Sequence, residues 1–257
     1  AKPRQQADGR LVDEVPTARE PLTAVASLDG KTLFVGTHIP EQPATDSYVA
    51  CKVDVIDLES RQRVDSLLLP NGSTGVLDSS ISPDGKWVFV THLIGHYQVP
   101  TNQLERGWMN TNALTVIDVE KRHILGTALL DDTTLGAANP WGIAITGNGQ
   151  YLAVAHSGTH ELSRIPLPAL IEELRKAPEN MPGAEGEEHG DYGLSQDLTV
   201  MVRVGRSRHK SVGDGPRELA AVGDKIFAAE YFSGQLAVYD FSPDNPRAIR
   251  PEGISLG

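Results

Sequence analysis

The sequence contains a single cysteine, Cys51, among its 257 residues. One cysteine cannot form a disulfide within the chain, and it cannot supply the two cysteines of a C-x-x-C-H haem attachment motif. That haem attachment motif is therefore excluded from this chain. With a single cysteine, the sequence does not indicate whether the protein resides in a reducing or an oxidising compartment. We interpret Cys51, which follows a polar loop, as a small packed residue rather than a reactive thiol.

Positive charge and long apolar runs are also scarce. There are 23 Lys and Arg residues against 34 Asp and Glu residues, and the formal net charge is −11. Non-specific nucleic-acid binding relies on a basic footprint, so this composition argues against a nucleic-acid partner. No apolar run approaches the roughly 18 to 20 residues of a membrane span. The polar start "AKPRQQADGR" shows no apolar segment of a signal peptide.

Familiar catalytic motifs are missing as well. The serines lack a G-x-S-x-G setting, there is no phosphate-binding loop, and "HEL" at 160–162 lacks the second histidine of H-E-x-x-H. The adjacent carboxylates Asp131 and Asp132 have no recognisable acid/base spacing. The sequence therefore predicts no catalytic residue in this chain.

The chain does contain an internal repeat. Each copy has a tight turn followed by an apolar strand, and Asp-Gly and Asn-Gly are strong signals for such turns because both residues tolerate positive φ. The four copies are "SLDGKTLFVGTH" (27–38), "SPDGKWVFVTHL" (82–93), "TGNGQYLAVAHS" (146–157) and "AVGDKIFAAEYF" (221–232).

Further short apolar runs surround each turn, so that every copy comprises four predicted strands. The third strands are "KVDVIDL", "ALTVIDV", "ELSRIPL" and "QLAVYDF", and the fourth are "RVDSLLL" (63–69), "HILGTALL" (123–130), "LTVMVRV" (198–204) and, less clearly, "AIRPEGISL". Four antiparallel strands per repeat is the pattern of a β-propeller blade. We therefore predict an all-β chain forming one propeller domain over 1–257, with four blades at 21–70, 76–130, 140–204 and 217–257.

The insertions lie unevenly. The connections between second and third strands (39–50 and 94–112) and those between blades open on one face, which we call the loop rim. The insertion 168–197 lies on the opposite face and begins with a predicted short helix, "PALIEELRKA". "GRLVDEVP" (9–16) reads as a stray outer strand without preceding strands. Propellers have about four to eight blades, and blades of this type usually belong to rings of seven. We therefore expect these four blades to be part of a seven-bladed ring.

The repeat "SPDGKWVFVTH…ALTVIDVEKRHILGTALL" resembles the YVTN-type β-propeller repeat. The runs "PTNQLERGWMNTNALTVIDV", "GAANPWGIAIT", "AHSGTHELSRI" and "AEYFSGQLAVYD" are similar to one bacterial group. In that group the propeller is followed by a c-type cytochrome domain related to the di-haem cytochrome c peroxidases. The resemblance implies a periplasmic or cell-surface protein whose partner is a c-type cytochrome domain or another redox protein. Haem would belong to that neighbouring domain, since this chain has no haem motif.

Four polar residues end the second strands and form a candidate site. We predict that His38, His92, His156 and Glu230 recur at one blade position on the loop rim, near the axis. Imidazoles and a carboxylate are ligands for a divalent transition metal. The alternatives are hydrogen bonding to loop carbonyls and contact with a partner. The sequence does not decide among these three.

Other rim residues are candidates for binding a partner. Trp108 lies in a long polar loop and offers either packing for that loop or a stacking surface. His160 and Glu161 follow a tight turn, and Arg217 either braces a connection between blades or binds an anion. The predicted partner-binding set is Arg106, Trp108, Asn110, Asn112, His160, Glu161, Arg217 and Tyr231.

Two functions follow as hypotheses. The first is a non-catalytic binding and scaffolding module, the propeller half of an exported protein that contains cytochrome c and transfers electrons. The second is a metal-dependent enzyme, a lactonase-type or other hydrolase, with its His/Glu site on the rim. Fold alone decides neither.

Overall fold

Short alternating apolar runs separated by turns produce 18 β-strands and one α-helix in the part of the chain that the computed structural model describes. Those residues are 11–95, 109–132, 135–176, 202–203, 207–211, 213–243 and 252–255. The strands form four sheets that are antiparallel except for one short edge strand, and these sheets are the four predicted blades. The all-β propeller prediction is confirmed. No helix in these ranges is long and apolar enough to cross a membrane.

Each sheet follows chain order from its first to its fourth strand. The first blade contains β1 (Pro21–Ala26), β2 (Thr32–Thr37), β3 (Lys52–Asp57) and β4 (Gln62–Leu68). The second contains β5 (Ser73–Thr74), β6 (Ser79–Ile81), β7 (Trp87–Gly95), β8 (Asn110–Asp118) and β9 (His123–Leu129). Here β5 and β6 both pair with β7.

The third and fourth blades complete the described architecture. The third is built from β10 (Pro140–Ile145), β11 (Tyr151–His156), β12 (Glu161–Pro166) and β14 (Ser207–Lys210). Between β12 and β14 the chain forms the helix α1 (Leu167–Lys176) and the short strand β13 (Val202–Arg203), which joins the second sheet. The fourth contains β15 (Pro216–Val222), β16 (Lys225–Glu230), β17 (Gln235–Asp240) and β18 (Glu252–Ser255). The helix packs on the opposite side from the loop rim, as the "PALIEELRKA" segment predicts.

In the first three blades the repeated turn is held by a side-chain hydroxyl that donates to the Asp or Asn side-chain oxygen two residues later. In the second blade the Ser82 hydroxyl donates to Asp84 Oδ1 at 2.6 Å, and the same oxygen accepts the Lys86 amide at 3.1 Å. Gly85 between them has φ +73°, a conformation that glycine adopts without the strain of a Cβ atom. The Asp-Gly pair therefore forms the tight turn that the sequence predicts.

Apolar side chains pack between successive blades. Phe34 and Val55 of the first blade contact Val88 and Ile117 of the second, and each of the next two interfaces has its own buried cluster. Alternate residues of each strand point to opposite neighbours, so both faces of a middle blade are buried. Sheet-on-sheet burial of this kind supplies most of the favourable free energy of folding.

The first strands β1, β6, β10 and β15 lie side by side around the axis. The closest approach is at Gly142 of β10, where a Cβ atom would lie 2.2 Å from the carbonyl oxygen of Arg217 in β15. Only glycine permits the two backbones to meet in this way. The inner strands therefore fix where the rim ends of neighbouring blades stand.

The outer strands differ from the sequence prediction. The fourth strand of the third blade is Ser207–Lys210 and pairs with β12, whereas the predicted segment 198–204 contributes Val202–Arg203, which pairs in parallel with β9 of the second blade. This prediction was wrong because an apolar alternation does not specify the partner strand. Residues 198–201 and 204 lie outside the described residues. "AIRPEGISL" does contain the expected strand, β18.

Two further predictions concern segments near the chain ends and the large insertion. Residues 11–16 form no strand, so the stray outer strand is not present there, and residues 9–10 lie outside the described residues. Within the insertion 168–197 the structure describes only the helical part up to Lys176. The seven-bladed ring stays a prediction.

Candidate functional site

The repeated strand-end position is occupied by Thr37, His92, His156 and Glu230. His156 pairs with Pro140 at the start of β10, and the corresponding pairs are Thr37 with Pro21 and Glu230 with Pro216. His92 lies in the equivalent place, because it and His156 are each the seventh residue after the turn glycine. The prediction for His38 was wrong by one residue, since in the first blade the seventh residue is Thr37.

The first blade uses a hydroxyl at this position. Thr37 Oγ1 donates to the Lys52 carbonyl at 3.0 Å and accepts the Lys52 amide at the same distance, which ties β2 to β3. His38 lies beyond the strand and is half-buried. Its Nδ1 atom has no hydrogen-bond partner among the described residues, while its carbonyl accepts the Gly75 amide at 2.9 Å.

His156 is fully buried, and both of its ring nitrogens make hydrogen bonds. Nδ1 lies 3.0 Å from the carbonyl oxygen of Ala137, and Nε2 lies 2.7 Å from Ser163 Oγ. A carbonyl oxygen can only accept, so Nδ1 carries a proton and donates it to the Ala137 carbonyl. Through these two hydrogen bonds the imidazole joins β11, β12 and the connection that precedes β10.

His92 repeats this arrangement in the second blade. Its Nε2 atom lies 2.8 Å from Thr115 Oγ1, which lies 2.7 Å from Thr127 Oγ1, so the network crosses three strands. Burial lowers the pKa of His92 to about 4, and the Nδ1 contact with the Leu93 carbonyl opposes this shift. The ring is neutral at physiological pH and its acceptor lone pair is occupied by Thr115.

Glu230 completes the series and differs chemically. It is 1% exposed, and its Oε1 atom accepts a hydrogen bond from Ser211. Burial raises the pKa of this carboxyl, and Asp214 adds to the increase, while Ser211 and His160 oppose it. Oε2 is buried without a hydrogen-bond partner in the described part of the chain.

The described ranges contain no group of three or more His, Cys, Asp or Glu side chains arranged to hold a metal ion. The predicted set of His38, His92, His156 and Glu230 is therefore not brought together as one site. His92 and His156 each use Nε2 for a hydroxyl in their own blade. The hydrogen-bonding interpretation of these two histidines is the one that their contacts support.

His160 links the third and fourth blades. It has φ +54°, and its Nδ1 atom accepts the Gly215 amide at 2.9 Å. Asp214 Oδ1 lies 3.5 Å from the same nitrogen. His160 positions the connection that leads to β15.

Glu161 lies in a cluster centred on Arg208. The guanidinium donates to the Glu161 carboxylate, to Asp132 Oδ2 at 2.9 Å and to the Gly136 carbonyl at 2.8 Å. These contacts join β14 to the connection between the second and third blades. Glu161 therefore has a structural partner and is not presented freely on the rim.

The two candidate asparagines lie on β8. The Asn112 side-chain amide donates to Asp131 Oδ1 at 2.8 Å and its backbone amide to Asp131 Oδ2 at 2.6 Å, so Asn112 braces the strand. Asn110 is exposed and pairs with Gly95 at the end of the hairpin. Arg106 and Trp108 lie outside the described residues.

Arg217 and Tyr231 do come together. The Arg217 guanidinium carbon lies 3.6 Å from the centre of the Tyr231 ring, 4.5 Å from that of Trp141 and 5.4 Å from that of Phe232. Tyr231 and Phe232 are 61% and 63% exposed. We call Trp141, Arg217, Tyr231 and Phe232 the arginine–aromatic cluster.

The predicted partner-binding set included neither Phe232 nor Trp141. The sequence did contain a signal, because a proline opens β1, β10 and β15, at Pro21, Pro140 and Pro216. In the structure the residue before each proline has a positive φ. The next residue in each case stands at the rim end of an inner strand. Trp141 and Arg217 hold this same position in neighbouring blades.

No family model matches the chain. It is similar to hydrazine synthase subunit beta of Kuenenia stuttgartiensis, with 28% identity over 214 residues, which are 82% of this chain and 51% of that protein. The solved Kuenenia stuttgartiensis hydrazine synthase matches with a TM-score of 0.71 and 25% identity over 89% of this chain and 61% of that chain. The chain thus spans about half the length of this curated relative.

More distant structures share the fold alone. U3-55K matches with a TM-score of 0.56 and 12% identity over 93% of this chain and 53% of that chain. The RRP9 WD40 repeats match with a TM-score of 0.54 and 13% identity over 91% of this chain and 52% of that chain. These likenesses support the propeller fold. The association with a cytochrome c peroxidase-like domain stays a prediction.

Proposed function

We propose that this chain is a non-catalytic binding propeller that serves as a module of a multi-subunit redox assembly. One observation carries the proposal: the similarity to hydrazine synthase subunit beta extends over 82% of the chain. A protein described as a subunit works as part of a larger enzyme. We extend to this chain the role of a structural component in such an assembly.

The described residues support a binding role. His92 and His156 are fully buried and hydrogen-bonded inside single blades, where a substrate has no access to them. Exposed groups on the loop rim are instead the large aromatic rings of Tyr231 and Phe232, which are typical of residues at protein interfaces. This pattern favours recognition over catalysis.

We further propose a haem-bearing c-type cytochrome domain or a similar redox protein as the partner, in a compartment outside the cytoplasm. The resemblance to propellers that precede a cytochrome domain supports both statements. Haem would reside in the partner, because this chain lacks the cysteine pair of an attachment motif.

The open face of the fourth blade supports a larger ring. Ala153, Ala155 and Leu162 of the third blade are buried against the fourth. The equivalent residues of the fourth blade itself are Phe227, Ala229 and Leu236, and these are only half-buried. We propose that further propeller blades cover this face, as the seven-bladed prediction requires.

The assembly is tested by purifying the tagged chain from its own host and following protein and haem absorbance through size-exclusion chromatography. We expect haem absorbance to co-elute with the chain at a mass well above that of the chain alone. A double variant, Tyr231→Ser with Phe232→Ser, should lose the haem signal while remaining folded.

The matched control is Val222→Ser, which removes a side chain of similar exposure, 67%, at the opposite end of β15. It should retain the haem partner. Elution of the folded native chain without haem would contradict the proposed redox assembly. Equal loss of haem in both variants would contradict binding through the loop rim.

A further inference from the structure

The arginine–aromatic cluster holds a cation that lacks an anionic partner. In the part of the chain that the structure describes, Arg217 makes no ion pair and its Nε atom is buried without a hydrogen-bond acceptor. Its contacts are the rings of Trp141, Tyr231 and Phe232. Arg208, by contrast, donates to two carboxylates and two carbonyls.

The backbone around this cluster is built to hold the rings in place. The Tyr231 and Phe232 amides donate to the carbonyls of Gly215 and Asp214, each at 3.0 Å. A Cβ atom at Gly215 would lie 2.3 Å from the Phe232 ring, so only glycine allows the ring to lie there. Tyr231 and Phe232 meet edge to face, with ring centres 5.1 Å apart. The cluster is therefore a fixed surface.

The Arg217 guanidinium carbon lies over the rings of Tyr231 and Trp141. An arginine held flat between aromatic rings keeps its N–H donors along its edge, in the fork that matches a carboxylate in two parallel hydrogen bonds. The adjoining rings of Tyr231 and Phe232 remain mostly exposed. A ligand with an anionic end and a flat apolar body would satisfy both features.

We propose that the arginine–aromatic cluster binds an organic monocarboxylate at the rim end of the inner strands. A single cation in a chain of net charge −11 favours a singly charged group over a phosphate dianion. The carboxylate belongs either to a small molecule or to a side chain or chain terminus of a partner. This proposal rests on the proposed binding role of the loop rim and names the chemical group that the rim recognises. Its first test uses the isolated chain and does not require the redox partner.

The test is titration of the purified chain with benzoate, followed by ligand-observed nuclear magnetic resonance. Benzyl alcohol is the neutral analogue. Saturable binding of benzoate is expected, with binding of benzyl alcohol much weaker. Arg217→Gln should weaken benzoate binding about tenfold or more, since a charge-assisted bidentate contact is lost. Phe232→Ser, which removes an exposed ring, should weaken it about threefold.

Arg175→Gln is the matched control, because Arg175 also lies over a tryptophan ring, 5.3 Å from the centre of Trp87, but on helix α1. Its benzoate affinity should equal that of the native chain. Absence of saturable benzoate binding would overturn the proposal. The proposal would also be overturned if the folded variants Arg217→Gln and Phe232→Ser both bound benzoate as tightly as the native chain. Equal affinity of the native chain for benzoate and benzyl alcohol would overturn it too.

The source of the carboxylate is resolved by repeating the haem co-elution with Arg217→Gln. Loss of the haem partner together with loss of benzoate binding assigns the carboxylate to the partner. Retention of the partner with loss of benzoate binding assigns it to a free small molecule. A failed assembly with intact benzoate binding rejects only the proposed redox partner, so the two proposals fail separately.

Discussion

His156 and Ser163 lie on adjacent strands of the third blade, with 2.7 Å between Nε2 and Oγ. Both residues are fully buried, so this serine–histidine pair is not a nucleophile open to substrate. The second blade repeats it as His92 and Thr115, 2.8 Å apart. The recurring pair is a brace between the second and third strands of a blade.

His156→Ala should therefore destabilise the fold. The substitution leaves a cavity and removes one hydrogen bond to Ser163 and one to the Ala137 carbonyl, which together cost about 3 kcal/mol of unfolding free energy. Urea unfolding followed by circular dichroism measures this change. His123→Ala, at a half-buried strand start, is the control and should cost less than about 1 kcal/mol.

A double-mutant cycle separates the pair from its surroundings. Combining His156→Ala with Ser163→Ala should show a coupling of about 1 kcal/mol, because the two residues share one buried hydrogen bond. Additive effects would show that the two side chains do not stabilise each other. Native stability of His156→Ala would contradict the structural role altogether.

Stability should depend on pH through His92. Burial lowers its pKa to about 4, below the ordinary value of 6.5, so the unfolded chain binds a proton at a pH where the folded chain does not. This group therefore costs stability as pH falls from about 6.5 to 4, by on the order of 3 kcal/mol. His92→Gln should remove this dependence, as measured by unfolding at several pH values. Parallel pH profiles for the two proteins would refute it.

Asp78 should act in the opposite direction. Burial raises its pKa to about 6, and Glu218 adds to the increase, while the amides of Ile143 and Ser79 oppose it. The folded chain then binds the proton more readily, so this group costs stability as pH rises from about 4 to 6. Asp78→Asn should remove this pH dependence, because an amide does not titrate, although its single acceptor oxygen can serve only one of the Ile143 and Ser79 amides.

The difference in stability between Asp78→Asn and the native chain should shift in favour of the variant by about 1–2 kcal/mol between pH 4, where the native carboxyl is protonated, and neutral pH. Thermal unfolding at neutral and acidic pH distinguishes the two conditions. The contrasting variant is Asp84→Asn, since Ser82 and Lys86 lower the pKa of Asp84 although partial burial opposes them. Asp84→Asn should destabilise at neutral pH, and a gain there would contradict the assignment.

Gly142 should tolerate no side chain. In Gly142→Ala the new Cβ atom would meet the Arg217 carbonyl at 2.2 Å, so β10 and β15 must separate. We expect a loss of about 3 kcal/mol or more in unfolding free energy. The control is Gly136→Ala, where only Asp131 Oδ1 lies near, at 3.5 Å. Equal stability of the two variants would show that the inner strands are not in close contact.

Cys51 should be unreactive in the folded protein. Burial raises the pKa of its thiol to about 12, and a thiol reagent attacks only through the thiolate. Labelling in buffer should be slow and limited by unfolding, whereas labelling in urea should be rapid. Fast labelling of the native chain would contradict the buried position of Cys51.

Local patterns predicted much of the fold. The Asp-Gly and Asn-Gly turns, the strands that follow them and the helix after Pro166 depend on residues close together in the chain, so they could be read from the sequence. The fourth strand of the third blade could not, because the pairing of "SRHK" with β12 depends on residues more than 40 positions away. His38 was misplaced for a different reason, an error of one residue in counting from the turn.

The sequence by itself determined the number of described blades, their strand order and the recurrence of a polar residue at the end of each second strand. Short-range alternation and turn chemistry suffice for these features. Only the tertiary structure decided that His92 and His156 bond hydroxyls within their blades, and that Trp141, Tyr231 and Phe232 surround Arg217. Such contacts depend on how strands and neighbouring blades align, and that alignment is set by packing of the whole sheet interface.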